Sequence, residues 1–128
     1  TTRIGFIGIG VMGTSMAGHL LKAGYKLSVF TRTPSKAEPL ASLGATVLKT
    51  PREVAQQSDV VISIVGYPKD VEEVLLDDKN GVLTGFEPGK ISIDMTTSKP
   101  SLAVRIYEEF KKRGAFALDA PVSGREMN

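Results

Sequence analysis

Gly8-Ile9-Gly10-Val11-Met12-Gly13 has the spacing G-x-G-x-x-G and stands between a strand-like run, Ile4–Ile7, and the helical spacing of Met16 and Leu20. In such a turn the first glycine allows a sharp bend, the second lets the backbone approach a pyrophosphate, and the third lets helix and strand pack closely. The amides and the positive dipole at the helix start favour a bound anion. The segment therefore predicts a dinucleotide-binding turn, the alternative being glycines that serve a tight turn alone. Met12 fits either a cofactor contact or a core position.

Strand-like and helix-like segments alternate along the whole chain. The predicted strands are Ile4–Ile7, Leu27–Phe30, Ala45–Leu48, Val60–Val65, Ile91–Met95 and Ala115–Leu118. Helical patterns separate them, and Leu102, Ile106 and Phe110 mark the inner face of the last helix. The alternation predicts an α/β fold, a Rossmann-type doubly wound parallel sheet of about six strands with helices on both faces. We expect residues 1–128 to form a single dinucleotide-binding domain.

The segment after the second predicted strand combines a helix-start signal with a proline inside the helix. Thr33-Pro34 is an N-cap followed by proline at the first helical position, and Leu40 and Leu43 are the apolar residues of a short helix that Gly44 ends. Pro39 lacks a backbone N–H, so we expect a helix that is kinked or that starts late.

The composition limits the other classes of function. The 128 residues are 41% hydrophobic and 23% charged, an ordinary globular composition with a net charge of +2. We expect no nucleic-acid or membrane partner, because the basic run Lys111-Lys112-Arg113 is better explained by the dipole of a helix end. With no cysteine and a single His19, cysteine chemistry is excluded and no metal site is expected. The strand pattern starts at Ile4 with no signal peptide before it, which favours a cytoplasmic protein.

The end of the second predicted strand bears on which dinucleotide binds. Domains selective for NAD usually carry an acid about 20 residues after the glycines, where it accepts hydrogen bonds from the ribose hydroxyls. Here Phe30-Thr31-Arg32-Thr33 contains no acid, and Glu38 comes too late. Arg32 can pair with a 2′-phosphate, and Thr31 and Thr33 can donate further hydrogen bonds. The segment predicts NADP, with NAD less favoured; the alternative is that Arg32 is a solvated charge beside a helix cap.

Four segments, taken in order, resemble the β-hydroxyacid dehydrogenase family, and Val65-Gly66-Tyr67-Pro68 is typical of one bacterial subgroup. The four are Phe6–Gly13, Thr31–Pro34, Asp94–Thr97 and Asp119–Gly124. The family includes 3-hydroxyisobutyrate, tartronate semialdehyde and 6-phosphogluconate dehydrogenases and the glyoxylate/succinic semialdehyde reductases. The resemblance covers nearly the whole chain. It implies an NADP(H)-dependent oxidoreductase that transfers a hydride between nicotinamide and a short hydroxy acid or semialdehyde.

The resemblance also implies roles for residues that follow the predicted strands, where open α/β sheets bind ligands. By it, Val65-Gly66-Tyr67 lines the cofactor, Thr97 lies near the nicotinamide ribose, and Ser123-Gly124 contacts the substrate. Two alternatives stay open: Thr96–Ser98 only caps the next helix, and Pro121–Gly124 is only a turn. Asp94 is expected to orient a neighbouring loop and not to act as a general base.

Two features depart from the family pattern. Arg125 stands where a further glycine usually follows Ser-Gly, and the tail Arg125–Asn128 does not continue the pattern. Family members carry the catalytic lysine on a long helix beyond this point, and no lysine here matches it. We therefore expect the family's helical C-terminal catalytic and dimerisation domain to be absent from these residues, which leaves no catalytic residue. The chain alone is expected to bind nucleotide without efficient turnover, and to form the family's homo-oligomer only with that domain.

Two rival functions remain at this point. The chain fits a stand-alone NADP(H)-binding module or redox sensor that never catalyses. A methyltransferase that binds S-adenosylmethionine through the glycine turn is less favoured. Such an enzyme usually has an acid after the second strand for the ribose, and this sequence has none there.

Overall fold

A six-stranded parallel sheet forms the centre of the structure. The computed structural model describes residues 2–8, 11–32, 34–64, 68–95 and 100–119. The strands are β1 (Arg3–Ile7), β2 (Lys26–Phe30), β3 (Thr46–Val47), β4 (Val60–Ser63), β5 (Ile91–Asp94) and β6 (Phe116–Asp119). They pair in the order β3-β2-β1-β4-β5-β6. The order reverses between β1 and β4, which confirms the predicted doubly wound sheet; such sheets bind ligands beside the carboxyl ends of the strands at this point.

Helices cover both faces of the sheet, as predicted. They are α1 (Val11–Lys22), α2 (Glu38–Ser42), α3 (Pro51–Gln56), α4 (Pro68–Leu76), α5 (Val82–Gly85) and α6 (Pro100–Lys112). On one face, Phe6 and Val29 of the sheet bury against Ala17 of α1 and Leu40 of α2. Because β1 and β2 run under both helices, this core fixes where the turn after β1 begins.

The opposite face carries the larger core. Ile7 and Val61 of the sheet pack with apolar side chains of α3, α4, α5 and α6. Within it, the ring of Phe110 meets Phe86 edge to face, with the ring centroids 5.6 Å apart. Leu102, Ile106 and Phe110 are all buried, so the predicted inner face of the last helix is confirmed. The two cores cover the sheet from both sides and so fix where its strands end.

The helix after β2 starts late. Pro34–Ala37 forms a 3-10 turn, and α2 begins only at Glu38. Pro39 then lies in the first helical turn, where its missing N–H costs nothing, so the late start is the correct interpretation. Leu40 is fully buried, whereas Leu43 is 54% exposed. The helix ends at Ser42, so the prediction that Leu43 belongs to it is wrong by one residue: Leu43 is the C-cap.

Two strands, β3 and β4, are each two residues shorter than predicted. The third strand is Thr46–Val47, shorter than predicted, because only these two residues at the sheet edge pair with β2. The fourth ends at Ser63, and Val65 lies outside the described residues. The short helix α5 was not anticipated, since four residues carry too little periodicity to indicate a helix.

An ion pair ties β1 to the residue before β4 at the amino-terminal edge of the sheet. The backbone N–H of Arg3 donates to Asp59 Oδ2 at 2.9 Å, and its guanidinium donates to Oδ1 at 3.2 Å. The backbone hydrogen bond from Arg3 is the largest cause that lowers the pKa of Asp59 below its usual 3.8, followed by the side-chain hydrogen bond. A carboxyl with a lowered folded-state pKa stabilises the fold above its unfolded-state pKa and loses that contribution in acid.

We expect the free energy of unfolding to fall as the pH drops from about 5 through the lowered pKa of Asp59. Asp59→Asn should remove part of that fall, by less than about 1 kcal/mol because the pair is half exposed. Urea unfolding at pH 7 and pH 3 measures the difference, with Asp78→Asn in the exposed turn as the matched control. An identical loss of stability in acid for wild type and Asp59→Asn would contradict the assignment.

Candidate functional site

The backbone leaves β1 through Gly8 in a conformation that suits glycine. Gly8 has φ of 82°, in the left-handed region that L side chains rarely adopt. Its N–H donates to the carbonyl oxygen of Phe30 at 2.8 Å, which ties the end of β1 to the end of β2. Helix α1 then begins at Val11. Gly8 therefore has the backbone conformation that suits the first glycine of the predicted turn, and it lies beside the point where the strand order reverses.

A buried hydrogen bond joins the ends of the next two strands. Ser63 and Asp94 are register partners at the carboxyl ends of β4 and β5, and the Ser63 hydroxyl donates to Asp94 Oδ1 at 3.0 Å. The backbone N–H of Met95 donates to the carbonyl oxygen of Ser63 at 2.9 Å. Asp94 is only 3% exposed, which suits a carboxylate that positions its neighbours and not a base open to substrate. The pair fixes where the chain departs from both strands.

Arg32 meets a carboxylate from a distant part of the sequence. Thr31, which directly follows β2, is half-buried, whereas Arg32 is exposed. The Arg32 Nη2 atom lies 2.8 Å from Oε2 of Glu73 on α4, and the two side chains are 53% and 65% exposed. The sequence window after β2 contains no acid, yet the fold brings one there from 41 residues away. Sequence reasoning missed Glu73, because no local pattern links the two positions.

A cleft of about 250 Å³ opens beside this pair. Its lining combines apolar surface with two cations and two acids: Phe30, Arg32, Lys49, Thr50, Pro51, Glu73, Val74, Asp77 and Asn80. The wall at Thr50 is held by the N-cap of α3, in which the N–H of Glu53 donates to Thr50 Oγ1 at 3.1 Å. Such a cleft can receive a flat apolar group that carries an anionic substituent.

Other predicted site residues lie outside the described residues, and their assignments stay predictions. They are Ile9, Gly10, Thr33, Val65, Gly66, Tyr67, Thr97, Ser123 and Gly124. The backbone of Val11, Met12 and Gly13 forms the first turn of α1. The strands that four of these segments follow, β1, β2, β4 and β5, are neighbours in one parallel sheet and end at the same edge.

His19 belongs to no cluster of metal-ligating side chains in the described part of the chain. His19 is exposed in the last turn of α1, and no group of three or more His, Asp or Glu residues in the described ranges could hold a metal ion. None of the helices in those ranges is long and apolar enough to span a membrane. Lys111 and Lys112 occupy the last turn of α6, as the helix-dipole interpretation predicted.

Comparisons with known proteins agree with this geometry. The chain is 56% identical over 98% of its length to a probable 3-hydroxyisobutyrate dehydrogenase-like protein, named as mitochondrial, from Arabidopsis thaliana. It is 42% identical over 95% of its length to an NAD-dependent L-serine dehydrogenase of Pseudomonas aeruginosa. Its structure resembles that of Psf3, solved in complex with NADP+ and 2-OPP, with a TM-score of 0.87, 28% identity and 94% of the chain covered.

The chain spans 38%, 41% and 43% of the lengths of these three proteins. The model of the NAD binding domain of 6-phosphogluconate dehydrogenase matches residues 3–128, nearly the whole chain. This agrees with the resemblance carried by the glycine turn and the later motifs. The chain therefore belongs to the β-hydroxyacid dehydrogenase family, in the part of it that forms the NAD(P)-binding domain.

Proposed function

We propose that this chain binds NADP(H) at the carboxyl edge of its sheet, between the turn at Gly8 and the cleft beside Arg32. The observation that carries the proposal is the exposed Arg32 guanidinium, which lines a cleft of about 250 Å³ at the end of β2. A guanidinium presents several donors in a plane and suits a phosphate monoester. The left-handed Gly8, three residues before the first residue of α1, suits a pyrophosphate at the start of a helix.

Separate segments of the chain would bind separate parts of the cofactor. Gly8–Gly13 would hold the pyrophosphate, and Thr31-Arg32-Thr33 would hold the 2′-phosphate of the adenosine half. Val65-Gly66-Tyr67 and Thr97 would line the nicotinamide half. The Ser63–Asp94 hydrogen bond supports this arrangement, because it fixes the ends of the strands from which both segments depart. The bound cofactor supplies or accepts the hydride, and the chain's part is to orient it.

For the whole protein we propose an oxidoreductase that acts on a short hydroxy acid or semialdehyde, with Ser123-Gly124 at the substrate. The names of the relatives support this class, and one of them is named for 3-hydroxyisobutyrate. These 128 residues alone should bind nucleotide and turn over poorly, because the family's catalytic lysine lies on a later helix and no lysine here matches it. Homo-oligomers would depend on the family's helical domain. A cytoplasmic location stays a prediction.

Nucleotide titration tests the proposal. We expect isothermal titration calorimetry to find NADPH bound about 10-fold more tightly than NADH, a difference of about 1.4 kcal/mol. Arg32→Ala should abolish that preference by weakening NADPH alone. Arg105→Ala is the matched control, because Arg105 also pairs with a glutamate of α4, Glu72, at 3.1 Å.

The possible results separate the rival functions. Binding of neither nucleotide would overturn the proposal, and equal affinities in the wild type would remove Arg32 from it. Tighter binding of S-adenosylmethionine than of either nucleotide would favour the methyltransferase.

A further inference from the structure

Arg32 and Glu73 form an ion pair on the wall of one cleft, and breaking this pair should cost little stability. Their atoms lie 2.8 Å apart, and more than half of each side chain is exposed. Exposed ion pairs contribute little to the stability of a fold. Arg32 can therefore exchange Glu73 for another anion without a large loss of stability. The remaining charged residues on the cleft are Lys49 and Asp77, so its charges balance only while Glu73 is ionised.

A phosphate that enters this cleft competes with Glu73. It must either take over the Nη2 donor that Glu73 uses or share the guanidinium with it. In the second case two anions lie around a single cation and repel each other. Either way, the carboxylate of Glu73 weakens the binding of a phosphorylated ribose.

A ribose without the phosphate meets the opposite situation. Its 2′-hydroxyl is a donor, and an ionised carboxylate is an acceptor only. In NAD-selective domains an acid at the end of the second strand accepts this hydrogen bond. Here the carboxylate of Glu73 on α4 contacts Arg32, which lies two residues after the end of β2. Glu73 is therefore placed to favour the hydroxyl where it disfavours the phosphate.

We propose that Glu73 is a specificity-determining residue that keeps the preference of this chain for NADP(H) over NAD(H) small. It does so by competing with the 2′-phosphate for Arg32 and by accepting a hydrogen bond from the 2′-hydroxyl. The inference rests on the proposed nucleotide site and adds to it a residue that lies outside the glycine turn and the segment after β2.

The test is a pair of isosteric substitutions on one helix. Glu73→Gln removes the carboxylate that meets Arg32, and Glu72→Gln removes the adjacent one, which pairs with Arg105. Both change the net charge equally, so their comparison separates the local contact from the general field of the protein. Dissociation constants for NADPH and NADH are measured by calorimetry for the wild type and both variants.

Glu73→Gln should tighten NADPH about 5-fold and weaken NADH about 2-fold, which raises the preference about 10-fold. Glu72→Gln should leave the preference within about 2-fold of the wild type. The side chains of Glu72 and Glu73 are 49% and 65% exposed, so the temperature of thermal unfolding should be unchanged in either variant.

Three results would overturn the inference while the proposed function stands. They are an equal change of both affinities in Glu73→Gln, the same change of preference in Glu72→Gln, and a weakening of NADPH in Glu73→Gln. The last would mean that Glu73 holds Arg32 in place for the phosphate. A wild-type chain that binds neither nucleotide would overturn the proposed function together with the inference.

Discussion

Replacement of Gly8 by alanine is expected to weaken NADPH binding about 100-fold, a loss of about 2.7 kcal/mol. At φ of 82° a Cβ atom costs about 1–2 kcal/mol, so the variant relieves strain by turning the backbone away from this conformation. The turn links the end of β1 to the start of α1, so a shift of its backbone would displace the amides to which the proposal assigns the pyrophosphate. Calorimetric titration with NADPH measures the loss.

Gly18→Ala is the matched control for this substitution. Gly18 lies within α1, and an added Cβ would have no atom within 4 Å apart from its own helix neighbours. Alanine there should raise the stability by about 0.5–1 kcal/mol and leave the NADPH affinity unchanged. If Gly8→Ala bound NADPH as tightly as Gly18→Ala, the glycine turn would not be the pyrophosphate site.

Phe110→Ala is expected to lower the free energy of unfolding by about 3–5 kcal/mol. Phe110 is fully buried on the inner face of α6 and packs edge to face on Phe86. Truncation leaves a cavity between α6, α5 and the sheet, in an interior that is close-packed and relaxes only in part. Against a total stability of about 5–15 kcal/mol, the loss would leave a marginal fold.

Phe116→Ala is the matched control, because it truncates an exposed phenylalanine instead of a buried one. Phe116 begins β6 and is 59% exposed, so its truncation should change the stability by less than about 1 kcal/mol. Urea unfolding followed by circular dichroism measures both variants. Similar losses from Phe110→Ala and Phe116→Ala would mean that α6 does not pack on the sheet as described.

In the proposed site, the choice between NADP(H) and NAD(H) would depend on one exposed ion pair, Arg32–Glu73. One similar protein is named for NAD, and one similar structure was solved with NADP+. In the proposed site, Arg32 would supply the charge that favours the phosphate, and its ion-pair partner Glu73 would supply the charge that opposes it. A single substitution on α4 would therefore shift the preference without altering the glycine turn.

Local sequence signals were sufficient for most of the architecture. The glycine spacing at Gly8–Gly13 predicted the turn, and the alternation of strand and helix patterns predicted the doubly wound sheet. Leu102, Ile106 and Phe110 were identified as core residues by spacing alone. These features could be predicted because the signals that indicate them are local in the sequence: a glycine spacing, an alternation of strand and helix patterns, and a helical periodicity.

Short or peripheral elements were predicted less well. Leu43 fitted the helical pattern, but the helix ended before it. Thr46–Val47 is only half as long as the apolar run suggested, because pairing at a sheet edge sets its length. In both cases packing and pairing with distant residues decided the boundary, and local propensity did not.

The sequence alone determined the fold class, the left-handed turn at Gly8 and the basic residue after β2, because each follows from nearby residues and backbone geometry. Only the tertiary structure placed Glu73 against Arg32, joined Ser63 to Asp94, and brought α3 so close to β1 that a side chain at Gly5 would collide with Val54. Those contacts join residues 31 to 49 positions apart, and they form only when the sheet order and helix packing bring the segments together.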